Sequence, residues 1–156
     1  MKKSIFFSLF LGFFCTLAAA QSAEKVTAMI DAKEISFNQA AYFASSYLGL
    51  GKEDMNESEA AAALTDFISF KKLKDKNRPL TVENFAYMCV KVWRIPGGIN
   101  YRIFKSPRYA LREIKALGFI PGNADPDAYI TGREALYIMS KCANYAESKT
   151  GKEAAK

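Results

Sequence analysis

The stretch LREIKALGFIPGNADPDAYITGREALYIMSKC, residues 111–142, decides the fold, because LTDFISFKKLKDKNRPLTVENFAYMCVKV, residues 64–92, runs through the same pattern in different residues. Leu64, Phe67, Phe70 and Leu73 match Leu111, Ile114, Leu117 and Ile120 at a constant offset of 47 positions. After a loop, Leu80-Thr81 and Ile130-Thr131 match at an offset of 50. Ile35-Ser36 opens a third, partial copy, 45 positions before Leu80-Thr81.

The three copies share one way of starting a helix. Ser36-Phe37-Asn38-Gln39 and Thr131-Gly132-Arg133-Glu134 are capping boxes. In each, a hydroxyl accepts an otherwise orphaned backbone N–H, and the side chain three residues on reaches back. Thr81-Val82-Glu83-Asn84 is a weaker version. An apolar residue precedes each cap, Ile35, Leu80 or Ile130, in the position of a hydrophobic staple. The apolar stripes that follow also match. Ala40, Phe43, Ala44, Tyr47 and Leu48 align with Phe85, Met88, Cys89, Val92 and Trp93, and again with Ala135, Ile138, Met139, Cys142 and Ala143. This i, i+3, i+4, i+7 spacing is that of an amphipathic helix. Gly49 and Gly51 stop the first helix, and Pro96-Gly97-Gly98 the second.

Two connecting helices are predicted, one over about Glu57 to Lys72 and one over about Pro107 to Leu117, the latter capped by Ser106 with Pro107 in its first turn. No stretch alternates with period two. The expected fold class is therefore all-α, with five to six helices in hairpin-like repeats. Residues 21–34 form a lead-in with a short helix near Glu24 to Ala32, residues 35–146 form the domain, and residues 147–156 form a frayed, flexible tail.

Residues 1–20 read as a secretory signal peptide. Lys2 and Lys3 form the positive end, Ile5 to Leu17 is almost wholly apolar, and Ala18-Ala19-Ala20 supplies the small cleavage site. That run is shorter than the ~20 residues of a membrane span. The chain is thus expected in the periplasm or cell envelope, with no transmembrane anchor once the signal is removed. Two cysteines remain, Cys89 and Cys142, both at apolar helix positions. They lie eight and eleven residues past their cap threonines. That mismatch amounts to about 4.5 Å of helix rise. It makes a disulfide awkward to close and favours buried free thiols.

The run from Tyr109 to Gly122, followed by Ile130-Thr-Gly-Arg-Glu-Ala-Leu-Tyr-Ile-Met, resembles the S-layer homology (SLH) domain. In that family a helix ends in Ala-Leu-Gly and two apolar residues, and Ile-Thr-Arg-Ala-Glu opens the next helix after a loop. The resemblance covers Ile35 to Tyr145 and is most specific after Tyr109. It implies a pseudo-threefold bundle around the helices opening at Ser36, Thr81 and Thr131, and a role in binding cell-wall glycan or peptidoglycan. The family's Arg directly after the cap Thr is missing. Phe37, Val82 and Gly132 stand there, and Arg133 comes one place late, about 100° round the helix. The family's glycan site therefore does not carry over.

The chain contains no His, which removes Ser-His-Asp and Cys-His catalysis and any His-containing zinc site. No catalytic set and no cofactor motif is expected. Between Asn84 and Arg112 there is no Asp or Glu, while the net charge of the chain is +6. Arg94, Tyr101, Arg102, Lys105, Arg108, Tyr109 and Arg112 form the candidate binding surface, with Trp93 and Phe104 interleaved. Aromatic faces stack on sugars and guanidinium forks grip carboxylates. The expected partner is peptidoglycan, another anionic envelope glycan, or an envelope protein, and not nucleic acid. Scaffolding of an envelope complex without glycan affinity is the alternative. A weaker candidate is a calcium loop. Asn123, Asp125, Asp127 and Glu134 fall at positions 1, 3, 5 and 12 of an EF-hand spacing, without the turn Gly.

Overall fold

The residues that precede the three caps meet one another. In a computed structural model describing residues 23–51, 55–71, 73 and 78–154, Ile35 donates its N–H to the carbonyl of Ile130 (3.1 Å), Ile130 donates to Leu80 (3.0 Å), and Leu80 donates to Ile35 (2.8 Å). The three hydrogen bonds close a ring. All three side chains are essentially inaccessible, so their backbone groups have no water to turn to. Satisfying each group with the next pre-cap residue brings three helix N-termini to one place. The signal segment 1–20 lies outside the described residues.

The described residues form seven helices and no strand, only two isolated bridges, at Ser36–Pro79 and Thr81–Tyr129. The fold is all-α. We number the helices α1 (23–31), α2 (Phe37–Tyr47), α3 (Glu57–Phe67), α4 (Val82–Val92), α5 (Ile99–Phe104), α6 (Pro107–Ala116) and α7 (Gly132–Ala154). α2 packs on α3 and α4 on α6, with α4 also touching α7 and α5 touching α6. The caps work as expected. Ser36 and Gln39 exchange hydrogen bonds, as do Thr131 and Glu134, whereas Thr81 only accepts, from Asn84 at 3.4 Å. Asn56 and Glu59 form a further capping box at the start of α3.

Four expectations need correction. α3 ends at Phe67, with Ile68 already extended, so Phe67 is 54% exposed while its repeat counterpart Ile114 is fully buried. α4 ends before Pro96: Trp93 is its C-cap and Arg94 takes the left-handed turn. α5 lies where the sequence shows no helix, because a six-residue helix that half-buries only Tyr101 carries no core stripe. The expected tail from Ala146 continues helix α7. α7 runs to Ala154, since Ala, Glu and Lys extend an existing helix at little cost.

Cys89 on α4 and Cys142 on α7 are free and wholly buried. They lie closer than their register implied. Burial, and then contact with the Cys142 thiol, push the Cys89 thiol well above its ordinary range.

The three positions just after the caps are all buried: Phe37, Val82 and Gly132. At Gly132 the cause is α1. The Gly132 N–H donates to the Ala32 carbonyl at 2.9 Å, and a Cβ there would lie 1.5 Å from the Met29 carbonyl oxygen. No side chain fits unless α1 moves. Gly132→Ala is therefore expected to lower unfolding stability by about 1–3 kcal/mol in urea, although alanine suits a helix start. Gly122→Ala, at a glycine with open space around it, should stay within about 0.5 kcal/mol. Equal effects at both glycines would contradict the docking of α1.

Candidate functional site

Folding divides the basic sector into separate surroundings. Arg102 and Lys105 are exposed on or just after α5, beside Ile99 (76% exposed), Ile103 (66%) and Phe104 (51%). α5 owes its place to Tyr101, which is half-buried against the core, and to the tight turn at Gly97, where a Cβ would lie 2.3 Å from the Tyr101 ring. Burial, then Tyr87 and Glu113, raise the Tyr101 phenol to about 12. Tyr101 is therefore an anchor rather than a contact surface. α5 ends at Lys105, whose φ of 44° is left-handed and turns the chain into α6. There Phe104 and Tyr109 stack, with centroids 5.2 Å apart and planes 19° from parallel, and the Arg112 guanidinium sits 5.9 Å from the Tyr109 ring. Each aromatic covers one face of the other, leaving only outer faces for a planar ligand.

Arg108 and Arg112 meet acid that the sequence places elsewhere. They share a cavity of about 390 Å³ with Lys115, and with Glu83 of α4 and Asp127 of the following loop. The Glu83 carboxyl is pushed up by burial and by Asp127, and held down by Arg108. The local excess of positive charge on this side is thus smaller than the acid-free run Asn84 to Arg112 implied. Arg94 leaves the group altogether and faces a different cavity, with Trp93 and the second half of α7. The exposed cationic–apolar surface that remains is centred on Ile99, Arg102, Ile103 and Lys105.

The calcium reading fares differently. Asp125 accepts the Asp127 N–H at 3.0 Å and closes a turn. Glu134 accepts from both the Thr131 N–H (3.1 Å) and its hydroxyl (2.7 Å). The carbonyls of Pro126 and Ala128 accept from Glu83 and Val82, two of the orphan donors opening α4. Lys115 ties the loop to α6 through the carbonyls of Gly122 and Ala124. Asn123 lines an apolar cavity of about 440 Å³ along with Glu134. Among the described residues no three acidic or cysteine side chains converge. Asn123, Asp125, Asp127 and Glu134 thus build a loop that caps α4 and α7, and do not converge into a cation cage.

Glu134→Ala is expected to cost about 0.5–2 kcal/mol of unfolding stability through the lost cap. The loss should be the same in chelator and in excess calcium. A calcium-dependent rise in melting temperature that this substitution removes would restore the metal reading.

Comparison of the chain with family models, with curated proteins and with solved structures gave no match to any of them.

Proposed function

We propose that the chain is an exported, non-enzymatic module of the cell envelope that docks on peptidoglycan or another anionic wall polymer through α5 and the start of α6. One observation carries this reading. Apart from its half-buried anchor Tyr101, α5 keeps its side chains out of the core, with two isoleucines and two basic residues facing outward. Exposing Ile99 and Ile103 gains nothing for folding, so a partner that covers them supplies the reason. Arg102 and Lys105 add attraction for an anion, and the Phe104–Tyr109 stack adds a flat aromatic edge for a sugar. The apolar signal-like segment at residues 1–20 supports an envelope location. No helix among the described residues is long and apolar enough to cross a membrane. The absence of His supports a non-enzymatic role. The resemblance to S-layer homology repeats supports a wall partner, but the proposal uses none of the positions after the caps, all three being buried.

A second reading has its own support. Ile99 and Ile103 suit a protein surface better than a polysaccharide, which favours an accessory subunit of an envelope complex. The two readings separate in one experiment. Wild-type protein is sedimented with purified peptidoglycan at low and high salt. Wall docking predicts binding that weakens with salt and falls at least tenfold in Arg102→Glu/Lys105→Glu. No sedimentation at low salt overturns it. A protein that co-purifies with the wild type and is released by Ile103→Asp would establish the second reading in its place.

A further inference from the structure

The pre-cap ring gathers the N-termini of α2, α4 and α7, and the other ends of the three helices line a cavity of about 650 Å³. Tyr47 and Leu48 come from the end of α2, Val92 and Trp93 from the end of α4, and Tyr145, Ala146, Lys149 and Thr150 from α7, with Phe67 and Arg94 at the sides. The volume falls in the range of small-molecule sites.

Three independent features mark it. The first is an unsatisfied donor. Trp93 is 5% exposed, and among the described residues its indole N–H is the one buried side-chain polar group without a hydrogen-bond partner. Such a group costs stability unless water or a ligand supplies an acceptor.

The second is backbone strain. α2, α4 and α6 end in the same turn. The second residue past each C-cap donates its N–H back five residues: Leu50 to Ser45, Ile95 to Val90, and Phe119 to Ile114. That turn needs a left-handed residue, and two of the helices use glycine there, Gly49 (φ 68°) and Gly118 (φ 72°). The third uses Arg94 (φ 48°), which lines the cavity. A left-handed non-glycine residue is retained against its conformational cost, and folding alone gives no reason to prefer arginine.

The third is the balance of charge and hydrogen bonding. Arg94 and Lys149 only donate. Near the ends of α2 and α4, the carbonyls of Ser46, Ser45, Cys89 and Val90 accept from the N–H groups of Gly49, Leu50, Trp93 and Ile95. The phenol of Tyr47 is pushed up by burial and then by Glu147, so it stays a neutral hydroxyl. Among the described residues the lining holds two cations, Arg94 and Lys149, and an indole donor without a partner, but no carboxylate, with Glu147 acting on Tyr47 from nearby. The walls are apolar and aromatic. Tyr47 and Trp93 lie with ring centroids 5.3 Å apart, and the Lys149 ammonium is 5.6 Å from the Tyr145 ring centroid.

We propose that this cavity binds a carboxylate carried on an aromatic or aliphatic body. The body packs among Tyr47, Phe67, Trp93 and Tyr145. The carboxylate pairs with Arg94 and Lys149, and an acceptor oxygen meets the indole N–H. The same chemistry occurs in the C-terminus of a peptide ending in an apolar residue and in a fatty acid. The site is distinct from the α5 surface and does not depend on wall docking.

Trp93 is the only tryptophan, so its fluorescence reports on the cavity directly. The full chain is titrated with N-acetylphenylalanine and with decanoate, and in parallel with N-acetylphenylalaninamide and decanol. The expected result is a saturable spectral change with at least one carboxylate and at least tenfold weaker binding of its uncharged counterpart. The tighter of the two carboxylates identifies the source. Arg94→Gly is expected to raise the melting temperature, because it relieves the left-handed residue, and to weaken carboxylate binding at least tenfold. Lys149→Glu does the latter without touching the turn, and serves as the test should the glycine variant prove less stable. The proposal is overturned by no saturable change with either carboxylate, by equal binding of the uncharged partners, or by unchanged affinity in Lys149→Glu.

Discussion

Three backbone hydrogen bonds, Ile35 to Ile130, Ile130 to Leu80 and Leu80 to Ile35, tie together segments 45 to 95 residues apart in sequence. Each joins groups with no access to solvent, so breaking one strands both a donor and an acceptor. The helix caps make the ring possible. Ser36, Thr81 and Thr131 satisfy donors in their own first turns, which leaves the residue before each cap to bond outward. The ring then sets the direction of three helices and, with them, the two ends of the molecule.

At the ring end, crowding is the rule. Phe37 and Val82 are buried, and α1 lies so close to Gly132 that its carbonyl occupies the space of a side chain. The loop before Thr131 is drawn into the same region and caps α4 through Pro126 and Ala128. Its acidic residues therefore serve turns and caps. At the opposite end the described residues leave a cavity, lined by an arginine in the left-handed region and an indole N–H without a partner. The two proposed ligand surfaces, that cavity and α5, lie away from the ring, although a smaller apolar cavity lies beside it at Ile130 and Glu134.

Much of this was legible along the chain. The predicted stripes Phe85, Met88, Cys89, Val92, Trp93 on α4 and Ala135, Ile138, Met139, Cys142 on α7 are buried, but α4 also buries Ala86, Tyr87 and Val90, and the α2 stripe leaves Tyr47 exposed. What failed to read was of a different kind. Phe67 fits the repeat yet faces outward, since α3 stops one residue later. The basic run was read as one surface because no acid lies within it. Glu83 and Asp127, near Arg108 in space, come from outside the run. α5 leaves no periodic trace in the sequence because it sets a single side chain, Tyr101, against the core and has no apolar stripe.

The sequence by itself determined the helix class, the three starts and the residues of the core, because caps and periodicity act within a few residues of one another. Only the tertiary structure decided that the residues before the caps bond in a ring, that Gly132 must lack a side chain, and that Arg94 parts company with its basic neighbours. Those outcomes depend on the approach of segments forty-five to a hundred residues apart. Local chemistry can make such an approach possible, but only the packing of the whole chain fixes its geometry.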